Sequence, residues 1–288
     1  EDSFKKAVGL NPKNDQVYVE LGWIYLNQVK ISQAEEALKK TIDLNSKNKN
    51  AYAGLGRLYQ DQGKSLQAEE ALKKAIDLNP KNNNAYVELG WFYRDQGKLP
   101  QAEEALKKAI ELNPKNDHAY VELGWIYLNQ GKSLQAEEVF KEAIELNPGN
   151  NQAYTGLGQF YQDQGRISQA EDAFKKPINL NPENDHAYAE LGQFYLNQGK
   201  SLKAEDLFKK AIALNPKNDH AYAGLGQFYQ DQGKSLKAED LFKKAIALNP
   251  KNDHAYAGLG QFYQDQGKSL KAEDLFKKAI ALNPKNDH

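Results

Sequence analysis

An all-α chain built of stacked helical hairpins is the fold class this sequence predicts, on three observations. Proline recurs as Pro12, Pro80, Pro114, Pro148, Pro182, Pro216, Pro250 and Pro284, a 34-residue period in which Ser46 fills the one gap. The 34 residues from Ala221 to His254 reappear letter for letter from Ala255 to His288. Within each period, apolar residues fall at helical spacing twice, with a turn between. A packed globular core has no reason to repeat itself, because each of its sites has a different neighbourhood. An array whose repeats pack on copies of themselves does.

Counted from the third residue after each proline, eight full repeats occupy 15–48, 49–82, 83–116, 117–150, 151–184, 185–218, 219–252 and 253–286 of a single array spanning 1–288. Residues 1–14 match the second half of a preceding repeat, and Asp287 and His288 are the first letters of a further one. Both ends cut across a repeat, so the array is expected to continue beyond them.

Each repeat begins with an amphipathic helix. In the last full one, Tyr256, Leu259, Phe262 and Tyr263 recur at spacings of three and four. Gly267 then offers the left-handed conformation that ends a helix. Ser269 is expected to cap the second helix, whose stripe is Leu275, Phe276, Ala279, Ile280 and Leu282. Asn283 and Pro284 stop it, since a residue before proline is pushed out of the helical region. Glu273 stands four residues before Lys277 and Asp274 four before Lys278, the favourable order for pairs on an exposed face.

Tyr256, Leu259, Gly260, Tyr263, Ala272, Phe276, Ala279 and Pro284 fall at repeat positions 4, 7, 8, 11, 20, 24, 27 and 32. With these residues the chain resembles the tetratricopeptide repeat family, whose signature lies at the same spacings, with Trp commoner than Tyr at position 4. Tyr18, Tyr52, Tyr86, Tyr120, Tyr154, Tyr188 and Tyr222 keep that place in the other repeats, so the resemblance covers essentially the whole chain. It implies an α-solenoid, a right-handed superhelix of antiparallel helix–turn–helix repeats with the first helices on the concave side. Family members that hold chaperone C-termini carry a lysine-containing clamp. Position 5 here reads Val19, Ala53, Val87, Val121, Thr155, Ala189, Ala223 and Ala257, so that ligand is not expected.

Four residues depart from the pattern. Val29 replaces the helix-ending glycine, and a β-branched residue suits positive φ poorly. Thr41 replaces an alanine and Ser46 a proline. Pro177 stands inside a second helix at a place alanine otherwise holds, where it removes a backbone donor and clashes with the carbonyl of Ala173. A kink there and early opening between about 170 and 185 are expected. A natural array with recently duplicated last copies accounts for such a residue better than a consensus design.

Composition excludes several function classes. Lys and Arg number 38 against 39 Asp and Glu, so no net field favours nucleic acid or a membrane surface. No stretch approaches the apolar length of a membrane helix. There is no cysteine, hence no disulfide or thiolate chemistry. Scattered Ser and Thr read as helix-start residues, and no catalytic constellation or cofactor motif emerges. His118, His186, His220, His254 and His288 all hold repeat position 2. Equivalent positions of stacked repeats lie on the order of 10 Å apart, too far for direct metal ligation.

The informative residues are those the fold does not require. Positions 2, 5, 9, 12 and 13 are expected to face the groove. Position 9 reads Trp23, Arg57, Trp91 and Trp125, then Gln159, Gln193, Gln227 and Gln261. The tryptophans, with Arg57 and Arg94, fit anchors for a protein or peptide ligand; packing between first helices accounts for them as well. The glutamines fit an amide ladder on a peptide backbone or a merely hydrated groove. The reading is a non-enzymatic protein–protein interaction scaffold holding a partner's peptide or helix. The alternatives are a structural spacer, a self-assembling array that stacks head to tail, or the targeting arm of a larger enzyme or assembly complex.

Overall fold

The computed structural model describes residues 2–283; Pro284, Asp287 and His288 of the sequence reading lie outside the described residues. The chain is all-α, running from α1 (Asp2–Leu10) through α2 (Asp15–Asn27) and α3 (Ile31–Leu44) to α16 (Asp253–Asp265) and α17 (Ser269–Leu282) in antiparallel pairs. It forms two compact blocks, Glu1–Pro148 and Gly149–His288, of the same internal build. Among the described residues, no helix is long and apolar enough to cross a membrane.

First helices start behind an asparagine. Asn48, Asn150, Asn184, Asn218 and Asn252 take the N-cap, and their side-chain oxygens accept from backbone N–H groups of the first turn, at 2.8 Å from Ala221 and from Ala255. Their amide nitrogens also work. Asn45 and Asn48 donate to Asp15 Oδ2 at 2.7 and 3.0 Å, and Asn215 and Asn218 to Asp185 Oδ2 at 2.9 and 2.7 Å. The aspartate that opens a repeat is thereby tied to the asparagines that close it.

Second helices start differently from expectation. Ser269 is the first residue of α17, not its cap; Lys268 takes the cap without a side-chain hydrogen bond. The turn explains this. Lys64 N donates to Tyr59 O at 2.8 Å and Gly63 N to Gln60 O at 2.9 Å, and the same closure recurs in the other repeats. It ends the first helix so abruptly that the lysine reaches the capping place one residue before the serine. The glycine of this turn has φ between 68° and 71° from Gly63 to Gly267. Val29 is forced into the same geometry at φ 58°. Left-handed backbone costs an L-residue roughly 1–2 kcal/mol, which exceeds the entropy glycine loses on folding. Val29→Gly is therefore expected to stabilise the N-terminal block by about 1 kcal/mol, read as a rise in urea midpoint with an unchanged slope.

Position 24 fills the space between neighbouring first helices. Leu38, Leu72, Leu106, Phe140, Phe208 and Phe242 are at most 1% exposed. Successive repeats are also clipped on their other side. Tyr93, Tyr195, Tyr229 and Tyr263 donate their hydroxyls, at 2.7 to 3.0 Å, to Glu69, Glu171, Glu205 and Glu239 of the preceding repeat. Lys73 and Lys209, four residues on, reach Glu69 and Glu205 at 2.7 Å. The lysine bond, opposed by burial and helped by the tyrosine hydroxyl, holds the Glu171 carboxyl down at about 2. These carboxylates join successive repeats. The Glu273–Lys277 pair forms at 2.6 Å, whereas Lys278 lies over the Tyr256 ring. Pro177 is buried inside α11 (Ile167–Leu180), which keeps the 14 residues of its counterparts.

Candidate functional site

In the N-terminal block, α4 (Lys49–Asp61), α6 (Asn83–Asp95) and α8 (Asp117–Asn129) are first helices of successive repeats. A cavity of about 450 Å³ opens on them, lined by Trp23, Asn50, Asn84, Glu88, Trp91 and His118 among others. Arg57 lies over the Trp91 ring, 5.3 Å from its centroid, with Nη1 3.8 Å from Glu88 Oε1. Arg94 pairs with Glu122. Trp23 and Trp91 thus share the cavity, and Arg57 covers the Trp91 ring. Trp125 is half-buried with its ring edge-on to Phe140, centroids 5.6 Å apart, and does not line the cavity.

The floor of this cavity is polar and incompletely satisfied. Burial pushes the Glu88 carboxyl up to about 7, against the Arg57 guanidinium and with the help of Asp61 and Glu122. Burial likewise raises Glu122, with Arg94 opposing. Glu88 Oε2 and the Trp91 indole nitrogen are buried without a hydrogen bond of normal geometry, although the indole lies near enough to Glu122 to favour its charged form.

In the C-terminal block, a cavity of about 810 Å³ opens on α10 (Asn151–Asp163), α12 (Asp185–Asn197), α14 (Asp219–Asp231) and α16. Gln159, Gln193, Gln227 and Gln261 all line it, with Glu190, His220 and His254. The glutamines do not bond one another. Each gives its amide N–H to the residue four further on in its own helix: Asp163 at 2.7 Å, Asn197 at 2.9 Å, Asp231 and Asp265 at 2.8 Å. Their carbonyl oxygens are left to accept. His186 and His220 are closer than stacking alone suggested, 6.5 Å between ring centroids. Among the described residues, no group of three or more His, Cys, Asp or Glu is placed to hold a metal ion.

Position 6 is what the sequence reading missed. Glu88, Glu122 and Glu190 stand there, half-buried or buried; Glu20 of the first repeat is exposed, and the other four repeats have glycine. The signal was present as the alternation of Glu and Gly at one register, but its depth in the groove depends on the neighbouring repeat.

A profile described as the cilia and flagella-associated protein 70 C-terminal domain matches residues 84–288, and a tetratricopeptide repeat profile matches 15–48 and 50–82. Among solved structures, yeast Tom70 superposes with a TM-score of 0.68 at 22% identity, over 87% of this chain and 56% of that one. Cut9, in the APC/C hetero-tetramer Cut9–Hcn1, gives 0.64 at 17% identity, over 99% of this chain and 56% of its own. A tetratricopeptide repeat protein from Parabacteroides merdae gives 0.66 at 20% identity, over 92% of this chain and 98% of its own. The chain therefore spans little more than half the length of Tom70 and Cut9. No curated protein sequence matches it. The likeness is one of fold: paired helices of tetratricopeptide repeats.

Proposed function

This chain belongs to the family of the cilia and flagella-associated protein 70 C-terminal domain, and from that premise we propose that it is a non-enzymatic scaffold whose first helices hold a peptide of a protein partner. Tetratricopeptide repeats bind proteins and are generally non-catalytic. The family name points to a cilium- or flagellum-associated setting, which for this chain is part of the proposal. The observation that carries the reading is the cavity between Trp23 and Trp91. Trp23, Trp91 and Glu88 line it, and a donor, Trp91 Nε1, and an acceptor, Glu88 Oε2, are buried there without a hydrogen-bond partner. A peptide amide supplies one acceptor and one donor, and buried polar groups gain most from the partner that completes them.

Selection from a displayed random-peptide library against the whole chain tests this. Selected peptides are expected to lose at least tenfold in affinity for Trp91→Ala and for Trp23→Ala, since truncated hot-spot residues typically cost ~2 kcal/mol or more. Trp125→Ala is expected to lower the melting temperature instead, because its ring packs on Phe140. Peptides that bind both cavity variants as well as the unaltered chain would overturn the reading.

A further inference from the structure

The fold shows twice how it accommodates a carboxylate at repeat position 6. Glu88 faces Arg57, 31 residues earlier, and Glu122 faces Arg94, 28 residues earlier; both arginines come from the first helix of the preceding repeat. Glu190 of α12 is the third such carboxylate that follows a full repeat; Glu20, in the first, is exposed and accepts from the Gln16 amide at 2.8 Å. The residues 31 and 28 places before it are Gln159 and Gln162 of α10. Neither carries a charge. Among the described residues, Glu190 forms no hydrogen bond or ion pair, and it lines the large cavity together with both glutamines. We infer that this place is a seat for an arginine side chain of a basic, extended partner segment, whose guanidinium takes the role that Arg57 and Arg94 play in the other block.

The surroundings suit that guest. Gln159 offers its carbonyl oxygen, because its amide N–H is committed to Asp163 at 2.7 Å. A guanidinium has five donors and no acceptor, so a lining of one carboxylate and side-chain carbonyls matches it on every edge. Ala189, Ala223 and Gly224 leave the floor low enough for an extended chain to lie close. Burial pushes the Glu190 carboxyl up, opposed only by His220, His186 and His254. A guanidinium guest brings a permanent charge to that carboxylate. An anionic partner would meet Glu190 with no lysine or arginine lining the cavity.

The inference rests on the scaffold reading but uses a different block and different residues, so the two fail separately. The probe is a glycine–alanine heptapeptide with one central arginine, compared with its citrulline twin, titrated into the isotope-labelled whole chain by NMR. The arginine peptide is expected to shift resonances around residues 186–227 and the citrulline peptide to bind at least tenfold more weakly. Glu190→Gln is expected to remove that preference. Gln162→Arg, which copies the Arg94–Glu122 spacing, is expected to fill the seat from within: it abolishes peptide binding and raises the melting temperature, and the rise disappears when Glu190→Gln is added. Equal binding of the two peptides, no binding by the arginine peptide, or binding unaffected by Glu190→Gln overturns the guanidinium seat. Each of those results leaves the Trp23 and Trp91 test standing. A lysine peptide that outcompetes arginine would also overturn it, replacing the planar fork with a point charge.

Discussion

Pro177→Ala is expected to raise the unfolding free energy of the C-terminal block by about 3 kcal/mol, the cost of an interior proline in an unbent helix. The site is ready for alanine. Ala75, Ala109, Ala143, Ala211 and Ala245 hold the same position in other repeats, each fully buried. Thr41, also fully buried, fits by donating its hydroxyl to Ala37 O at 3.0 Å within its own helix. Pro177 can do nothing comparable. It has no N–H for the carbonyl of Ala173, while its own carbonyl still accepts from Asn181 N at 2.9 Å. α11 nonetheless runs uninterrupted through it, so the lost bond and the ring contact are carried by packing on both sides. In a linear array that cost falls locally. Amide exchange between about 170 and 185 is expected to slow more in Pro177→Ala than anywhere else. A gain below about 0.5 kcal/mol would mean that a bend has already absorbed the proline.

What could be read from the sequence follows a physical division. Helix periods, the left-handed turn and the misfit of Val29 are properties of a residue and its near neighbours along the chain, and they were legible. The placing of position 9 on one face of its helix follows from 3.6 residues per turn. Contacts between repeats were not legible. Ser269 was assigned a cap because serine favours that place, yet a glycine two residues earlier decides where the helix starts. The glutamates at 69, 171, 205 and 239 each accept from the tyrosine hydroxyl 24 residues later, a contact that no local pattern announces. Trp91 and Trp125 share a register and a residue type. Their neighbours separate them: the Trp125 ring lies edge-on to Phe140, while Trp91 lines the cavity under Arg57.

Gly224→Ala is expected to destabilise the C-terminal block by roughly 2 kcal/mol or more, at the upper end of what overpacking a filled core costs. The sign is the informative part, since glycine to alanine inside a helix ordinarily stabilises by about 0.5–1 kcal/mol. Here a Cβ would stand 2.4 Å from Cε1 and Cζ of Phe208. That ring is 1% exposed and already lies against Gly192, so it has nowhere to go. Gly258 meets Phe242 in the same way, at 2.4 Å. Where position 24 is leucine the next floor varies: Glu88 follows Leu72 and Glu122 follows Leu106, whereas Gly54 follows Leu38, whose Cδ2 a Cβ there would meet at 2.8 Å. Phe174 is the exception that tests the cause. It leans toward Phe194, centroids 5.2 Å apart, and the next repeat carries Glu190 instead of glycine. A position-24 ring that lies under the next repeat, as Phe208 and Phe242 do, therefore requires a glycine notch there. Phe208→Leu is expected to cost about 1 kcal/mol alone and to rescue Gly224→Ala, leaving the double variant more stable than the sum of the singles by at least about 1 kcal/mol. Chemical denaturation of the four proteins of that cycle measures the coupling, and a value near zero would detach the groove floor from the ring beneath it.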